Sequence, residues 1–207
     1  MESKNVIAAI SLSAAVIILY SLFFQPDPKT IKQNPSEQKK IVSDTDTPSL
    51  EKNENFEKIS RNDALKENDR VIFENKGIVG SISLKGATID DLIFKEYNVE
   101  LNSNKKVTLL SPRNVDDGYL IESGFVTTNK NIDVPDASTT WKVLGNKKLT
   151  NNNPIKLTWS NSQGITFEKH ISLDDQFLFT IKEKIINKSD KSYNFYSYGQ
   201  IIRNKLP

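Results

Sequence analysis

The chain is predicted to be all-β, an antiparallel sandwich preceded by one membrane-spanning helix and a polar tether. Three observations carry this. Apolar residues after about Asp69 recur with period two, Gly/Asn/Asp/Pro clusters punctuate them, and a charge-free run opens the chain. Alternation marks half-buried strands with one wet face. The 207 residues carry 28 basic and 26 acidic side chains, so the net charge is only +2 and no basic block suggests nucleic acid.

Val6 to Phe24 forms a run of nineteen uncharged residues. As a helix it reaches roughly 28 Å, about the thickness of the hydrocarbon layer. Within lipid each backbone polar group must be paired inside the segment, which a helix does. A cleavable signal would have a shorter core ending in small residues. This run ends Leu22-Phe23-Phe24-Gln25-Pro26, which favours an uncleaved anchor over residues 1–25. Lys4 stands on one side, with Lys29, Lys32, Lys39 and Lys40 on the other, and these charges leave the orientation open.

Residues 26–68 read as a disordered linker. Pro26, Pro28, Pro35 and Pro48 interrupt a stretch of Lys, Glu, Asn, Ser, Asp and Thr in which Phe56 is the only aromatic. Such a composition buries too little apolar surface to offset the entropy of ordering. Asn53 to Lys66 has a weak helical pattern in Phe56, Ile59, Ala64 and Leu65.

Residues 69–207 carry the sandwich. Strands are expected near 70–75, 78–84, 87–95, 107–110, 119–126, 140–144, 155–160, 164–172, 177–187 and 192–202. Ile155-Lys-Leu157-Thr-Trp159 alternates cleanly, and so does Ile165 to Ile171 except at Lys169. Asn151-Asn-Asn-Pro154, Asn161-Ser-Gln-Gly164, Asp174-Asp175 and Asn187-Lys-Ser-Asp190 supply turn chemistry. No long 3.6-residue pattern interrupts them, which argues against βαβ units. The segment Phe177 to Ile202 is rich in Phe, Tyr and Ile and ends five residues before Pro207, an open edge that would ordinarily pair with a further strand. The expectation is that the domain continues past Pro207.

Candidate sites are weak one by one. Without cysteine there is no disulfide, thiol catalysis or cysteine-rich zinc site, and the single His170 makes histidine metal sites and Ser-His-acid triads poor readings. His170 shares a face with Thr166 and Glu168, as a solvated sheet histidine would. Asp90-Asp91 could suggest a cation site or acid/base work, but neighbours in a strand point to opposite faces. Trp141, Trp159, Tyr193, Phe195, Tyr196 and Tyr198 could stack on sugar rings, although packing is the commoner role of strand aromatics. Gly77, Gly80 and Gly86 precede no helix, so a phosphate-loop reading has no context. The expectation is no catalytic, cofactor-binding or metal residue, no cofactor, and no enzyme.

Gly80-Ser-Ile-Ser-Leu-Lys-Gly-Ala-Thr-Ile-Asp-Asp-Leu92, Val107 to Pro112, Gly118 to Val126, Trp141, Pro154 to Trp159, Gly164 to Ser172, Asn187-Lys-Ser189 and Tyr198 to Arg203 follow one another in a specific order. This series resembles the first periplasmic domain of YidC-type membrane protein insertases, particularly the alphaproteobacterial kind, and the anchor and tether match that layout. The resemblance implies a β-supersandwich similar to galactose mutarotases, with the amino terminus cytoplasmic and the β domain periplasmic at the bacterial inner membrane. It implies the lipid bilayer, nascent inner-membrane proteins and Sec translocon components as partners. In the family, insertion is the work of a later five-helix bundle with a groove arginine. After Phe24 this chain has no second hydrophobic span, so none of that machinery carries over, and Arg203 belongs to a strand-end motif. The expectation is an N-terminal portion of an insertase. Competing readings are a single-pass β-jellyroll bridging protein of lipopolysaccharide export and a mutarotase-like sugar-binding module.

Overall fold

The computed structural model describes residues 11–16, 19–20 and 57–205. The chain divides into two units, Met1–Asp44 and Thr45–Pro207, each described by itself. In the first, residues 11–16 and 19–20 are helical, and the rest of the expected span 6–24 lies outside the described residues. Among the described residues no helix is long and apolar enough to cross a membrane.

The second unit is built of strands. A seven-stranded sheet has the order β11-β5-β3-β2-β1-β7, with β4 also pairing β3, and a four-stranded sheet has the order β10-β9-β8-β6. Their ranges are β1 Arg70–Glu74, β2 Ile78–Ser83, β3 Thr88–Asn98, β4 Lys106–Leu110, β5 Tyr119–Val126 and β6 Lys142–Leu144. The remainder are β7 Lys148–Leu149, β8 Ile155–Ser160, β9 Ile165–Leu173, β10 Phe179–Asn187 and β11 Tyr196–Arg203. Pairing is antiparallel except between β1 and β7, where Ile72↔Lys148 and Phe73↔Leu149 run parallel. The two-residue β7 is too short to give a periodic signal, and it is the strand the alternation did not predict.

The sheets face each other across one core. Phe73 and Phe167 are fully buried. Phe73 meets Phe179 of the opposite sheet edge-on at 5.0 Å, and Phe125 meets Phe167 at 5.1 Å. Fully burying such a side chain contributes roughly 1.5–3 kcal/mol. Period two therefore does what the sequence implies: Ile155 and Leu157 of β8 and Ile165, Phe167 and Ile171 of β9 all enter the core.

Close backbone approach explains two glycines. A Cβ at Gly80 would sit 1.9 Å from the Asp91 carbonyl oxygen, so only glycine lets β2 lie against β3 there. A Cβ at Gly77 would overlap the Phe177 ring at 2.6 Å. Phe177 adopts φ +69 in the β9–β10 turn and packs edge-on against Phe94, so β10 begins at Phe179 and not at the expected residue 177.

Of the expected linker 26–68, residues 26–56 lie outside the described residues, while residues 57–68 are ordered. Residues 57–68 form a strap on the outer face of the seven-stranded sheet, containing helix α1 (Arg61–Ala64). Ser60 caps α1 by accepting from the Asp63 N–H at 3.2 Å. The Ile59 N–H donates to the Asn114 carbonyl, and Ala64 is buried. A polar stretch orders here because it has specific partners on the sheet, which composition does not reveal.

Candidate functional site

The acidic pair sits where the β2–β3 ladder slips. Ser81 pairs with Asp91 and the next residue, Ile82, pairs with Ile89, so Asp90 is the extra residue of a β-bulge. The expectation that Asp90 and Asp91 point apart is overturned for that reason. Both join one network. Arg70 donates to Asp90 and, through Nε, to Ser81 Oγ at 2.7 Å. Ser81 Oγ donates to Asp91 at 2.6 Å, and Arg61 of the strap donates to Asp91 as well. Arg70 and Asp90 are about nine-tenths buried. Burial pushes the Asp90 carboxyl up from its ordinary value, more than Arg70 draws it down.

An open cleft of about 360 Å³ lies between strap and sheet, lined by Glu67, Arg70, Lys85, Thr88, Asp90 and Arg113, with Ala64 and Leu120 among its apolar residues. Close by, Glu122 accepts from Arg113, from Tyr198 Oη at 3.1 Å and from Gln200 Nε2 at 3.3 Å. Burial, followed by the Glu122 charge, raises the Tyr198 phenol well above its ordinary value. Asp90 and Glu122 are each paired with an arginine here. The arrangement offers hydrogen bonds and apolar contact.

Lys169 is the residue that alternation flagged without explaining. It occupies an inward position of β9 with its side chain 1 % exposed. Its Nζ donates to the Ser123 carbonyl and to Ser123 Oγ at 3.1 Å, lies 3.7 Å from Glu183, and stands 5.3 Å from the centre of the Trp141 ring. Desolvation lowers its pKa, outweighing the opposing pull of Glu183 and Glu122. The sequence signal was a charged residue on the apolar parity of β9.

Other singled-out residues do not converge. His170 is exposed on the outer face of the four-stranded sheet, 3.4 Å from Glu168. Trp141 is buried in the core. Trp159 and Phe195 both pack on Phe167, at 5.8 and 5.5 Å, and Tyr193 packs on Phe195. Tyr198 engages Glu122, Tyr196 is exposed, and Arg203 lies 5.2 Å from the Tyr119 ring centre. The aromatics are thus divided among core, edge and outer face, and form no shared stacking surface. Among the described residues no three His, Cys, Asp or Glu side chains gather as a metal site.

The sequence profile of the YidC periplasmic domain matches residues 70–207, which is the whole sandwich from the start of β1. The chain belongs to this family. It is 81 % identical over its full length to the membrane protein insertase YidC of Pelagibacter ubique, covering 37 % of that protein. Over its full length it is 31 % identical to the Brucella suis membrane protein insertase YidC, covering 38 %, and over 98 % of its length it is 34 % identical to that of Rickettsia typhi, covering 36 %. The chain therefore spans well under half the length of these relatives.

Proposed function

We propose that this chain supplies the anchored β module of a membrane protein insertase, held at the bacterial inner membrane with its sandwich in the periplasm. The observation that carries the reading is the family match over the whole sandwich, joined to 81 % identity with a named insertase along all 207 residues. The sandwich is of the galactose-mutarotase-like supersandwich kind, used as a scaffold and not as an enzyme. In support, the buried acidic groups Asp90, Asp91 and Glu122 are each engaged by an arginine. The charge-free run 6–24 is the anchor, and the polar stretch after it is the tether. The complete protein's activity is insertion and folding of inner-membrane proteins, alone or beside the Sec translocon. Moving a polar segment through hydrocarbon is costly, and a protein-lined polar path lowers that cost.

Protease protection tests the reading. In spheroplasts the chain should stay with membranes through alkaline carbonate, keep residues 1–25, and lose its sandwich epitope only to externally added protease. A photo-crosslinker on the strap or the sheet faces should capture nascent inner-membrane proteins or Sec components. A trimmed, freely soluble product would overturn the proposal.

A further inference from the structure

The two outer sheet faces differ in charge. On the seven-stranded sheet each of Arg61, Arg70 and Arg113 is paired with a carboxylate. On the outer face of the four-stranded sheet the cations outnumber the carboxylates. Its cross-strand register sets Lys182 beside His170 and His170 beside Lys156. The next row runs Lys184, Glu168, Thr158 and Lys142. Four lysines thus share this face with one carboxylate, Glu168, whose ion pair with Lys156 is 2.6 Å long. Glu183, on the same strand as Lys182 and Lys184, points inward to Ser123 and offsets nothing outside. Three positive charges remain uncompensated, and Lys142, Lys182 and Lys184 are all exposed.

We propose that this lysine face of the four-stranded sheet docks onto anionic phospholipid headgroups. Alternate residues of a strand lie about 7 Å apart and neighbouring strands about 4.8 Å apart. Lys182 and Lys184, about 7 Å apart on one strand, fall within a Debye length of roughly 8 Å, while Lys142 lies three strand spacings, about 14 Å, from Lys184 and adds its own attraction to a flat anionic surface. The face has the chemistry of a lipid contact and not of a protein hot spot. Its cations are compact lysine ammoniums, with no arginine fork and no Phe, Tyr or Trp among the outward residues of β8, β9 and β10. Leu144, 47 % exposed, is a large apolar group at its rim. Lysine clusters held beside a bilayer are drawn to acidic lipid, each adding to the attraction. The bilayer's nearness rests on the anchored reading given above.

The chain has no cysteine, so a single probe can be placed cleanly. The full chain carrying Ser172→Cys, labelled with a fluorophore on this face, is mixed with vesicles bearing a headgroup quencher. Phosphatidylcholine vesicles are compared with vesicles that also contain phosphatidylglycerol. Quenching should appear only with phosphatidylglycerol, disappear in high salt, and weaken about fivefold for each of Lys142→Gln, Lys182→Gln and Lys184→Gln. The same label at Ile72→Cys, on the outer face of the other sheet, should stay unquenched. Equal quenching in both vesicles, or indifference to the three substitutions in variants with unchanged circular dichroism, would overturn the proposal. So would tight binding of polyglutamate without preference for acidic lipid, which would make this a protein-docking face. Flotation with neutral vesicles reports the apolar anchor separately. If that fails, salt-sensitive flotation with phosphatidylglycerol alone still reports the face.

Discussion

Arg70 and Asp90 meet with about a tenth of either side chain exposed. Neither can be removed without stranding the other. Breaking a buried pair from one side leaves a charge in low dielectric, so Arg70→Ala should destabilise the fold by about 3 kcal/mol in urea titrations. Replacing both residues by apolar ones of similar volume should cost markedly less, because no orphan charge remains. Lys169 makes the complementary case. Its pKa is lowered in the folded chain, so over the interval from that lowered value to the unfolded value of about 10.4 the unfolded chain holds more protons. Stability should therefore rise with pH through that interval, with the penalty of the buried ammonium fully present below it. Lys169→Met should abolish the alkaline rise in a series of denaturation midpoints.

At the scale of elements, Glu74 ties three strands together. From β1 it accepts from Lys148 of β7 at 2.8 Å and from Lys95 of β3 at 2.7 Å. These bonds, that of Lys148 first, hold its carboxyl down to about 2 from 4.5. The sign is opposite to that of Lys169. The stabilisation is present above pH 4.5 and is lost as pH falls towards 2. Glu74→Gln should flatten the acid limb of the stability profile in that window, and high salt should mimic it, since the group is accessible to counterions. Strands such as β8 and β9 were legible because one parity is apolar over five or more residues. Of the strap 57–68 only the weak helical pattern around Ala64 was legible; its docking was not, because Arg61 finds its partner on β3 and Ile59 in the β4–β5 loop, far along the chain. The bulge at Asp90 was equally hidden. It follows from a register slip between two strands, and nothing in Ile-Asp-Asp-Leu announces it.

Across the whole sandwich, β10 and β11 end their respective sheets. Ile201 of β11 pairs with Ile121 yet remains 68 % exposed, on an edge among the described strands. An open apolar edge promotes association between chains. Ile201→Lys should lower concentration-dependent association in sedimentation while shifting monomer stability by no more than about 0.5 kcal/mol.

Period-two patterning and turn residues marked every described strand but β7, and the inward faces wherever the ladder is regular, because a side chain's face in a regular strand depends only on its parity. The expectation of a membrane anchor in the apolar run 6–24 rests on its length and lack of charge alone. Which charges meet was decided only by tertiary structure. The Arg61–Asp91 and Arg70–Asp90 pairs, the cross-sheet reach of Lys169 and the unbalanced lysine face all depend on register and on sheet-over-sheet packing. Those are set by contacts far apart in the chain, and Coulomb and desolvation energies follow distance in space, not in sequence.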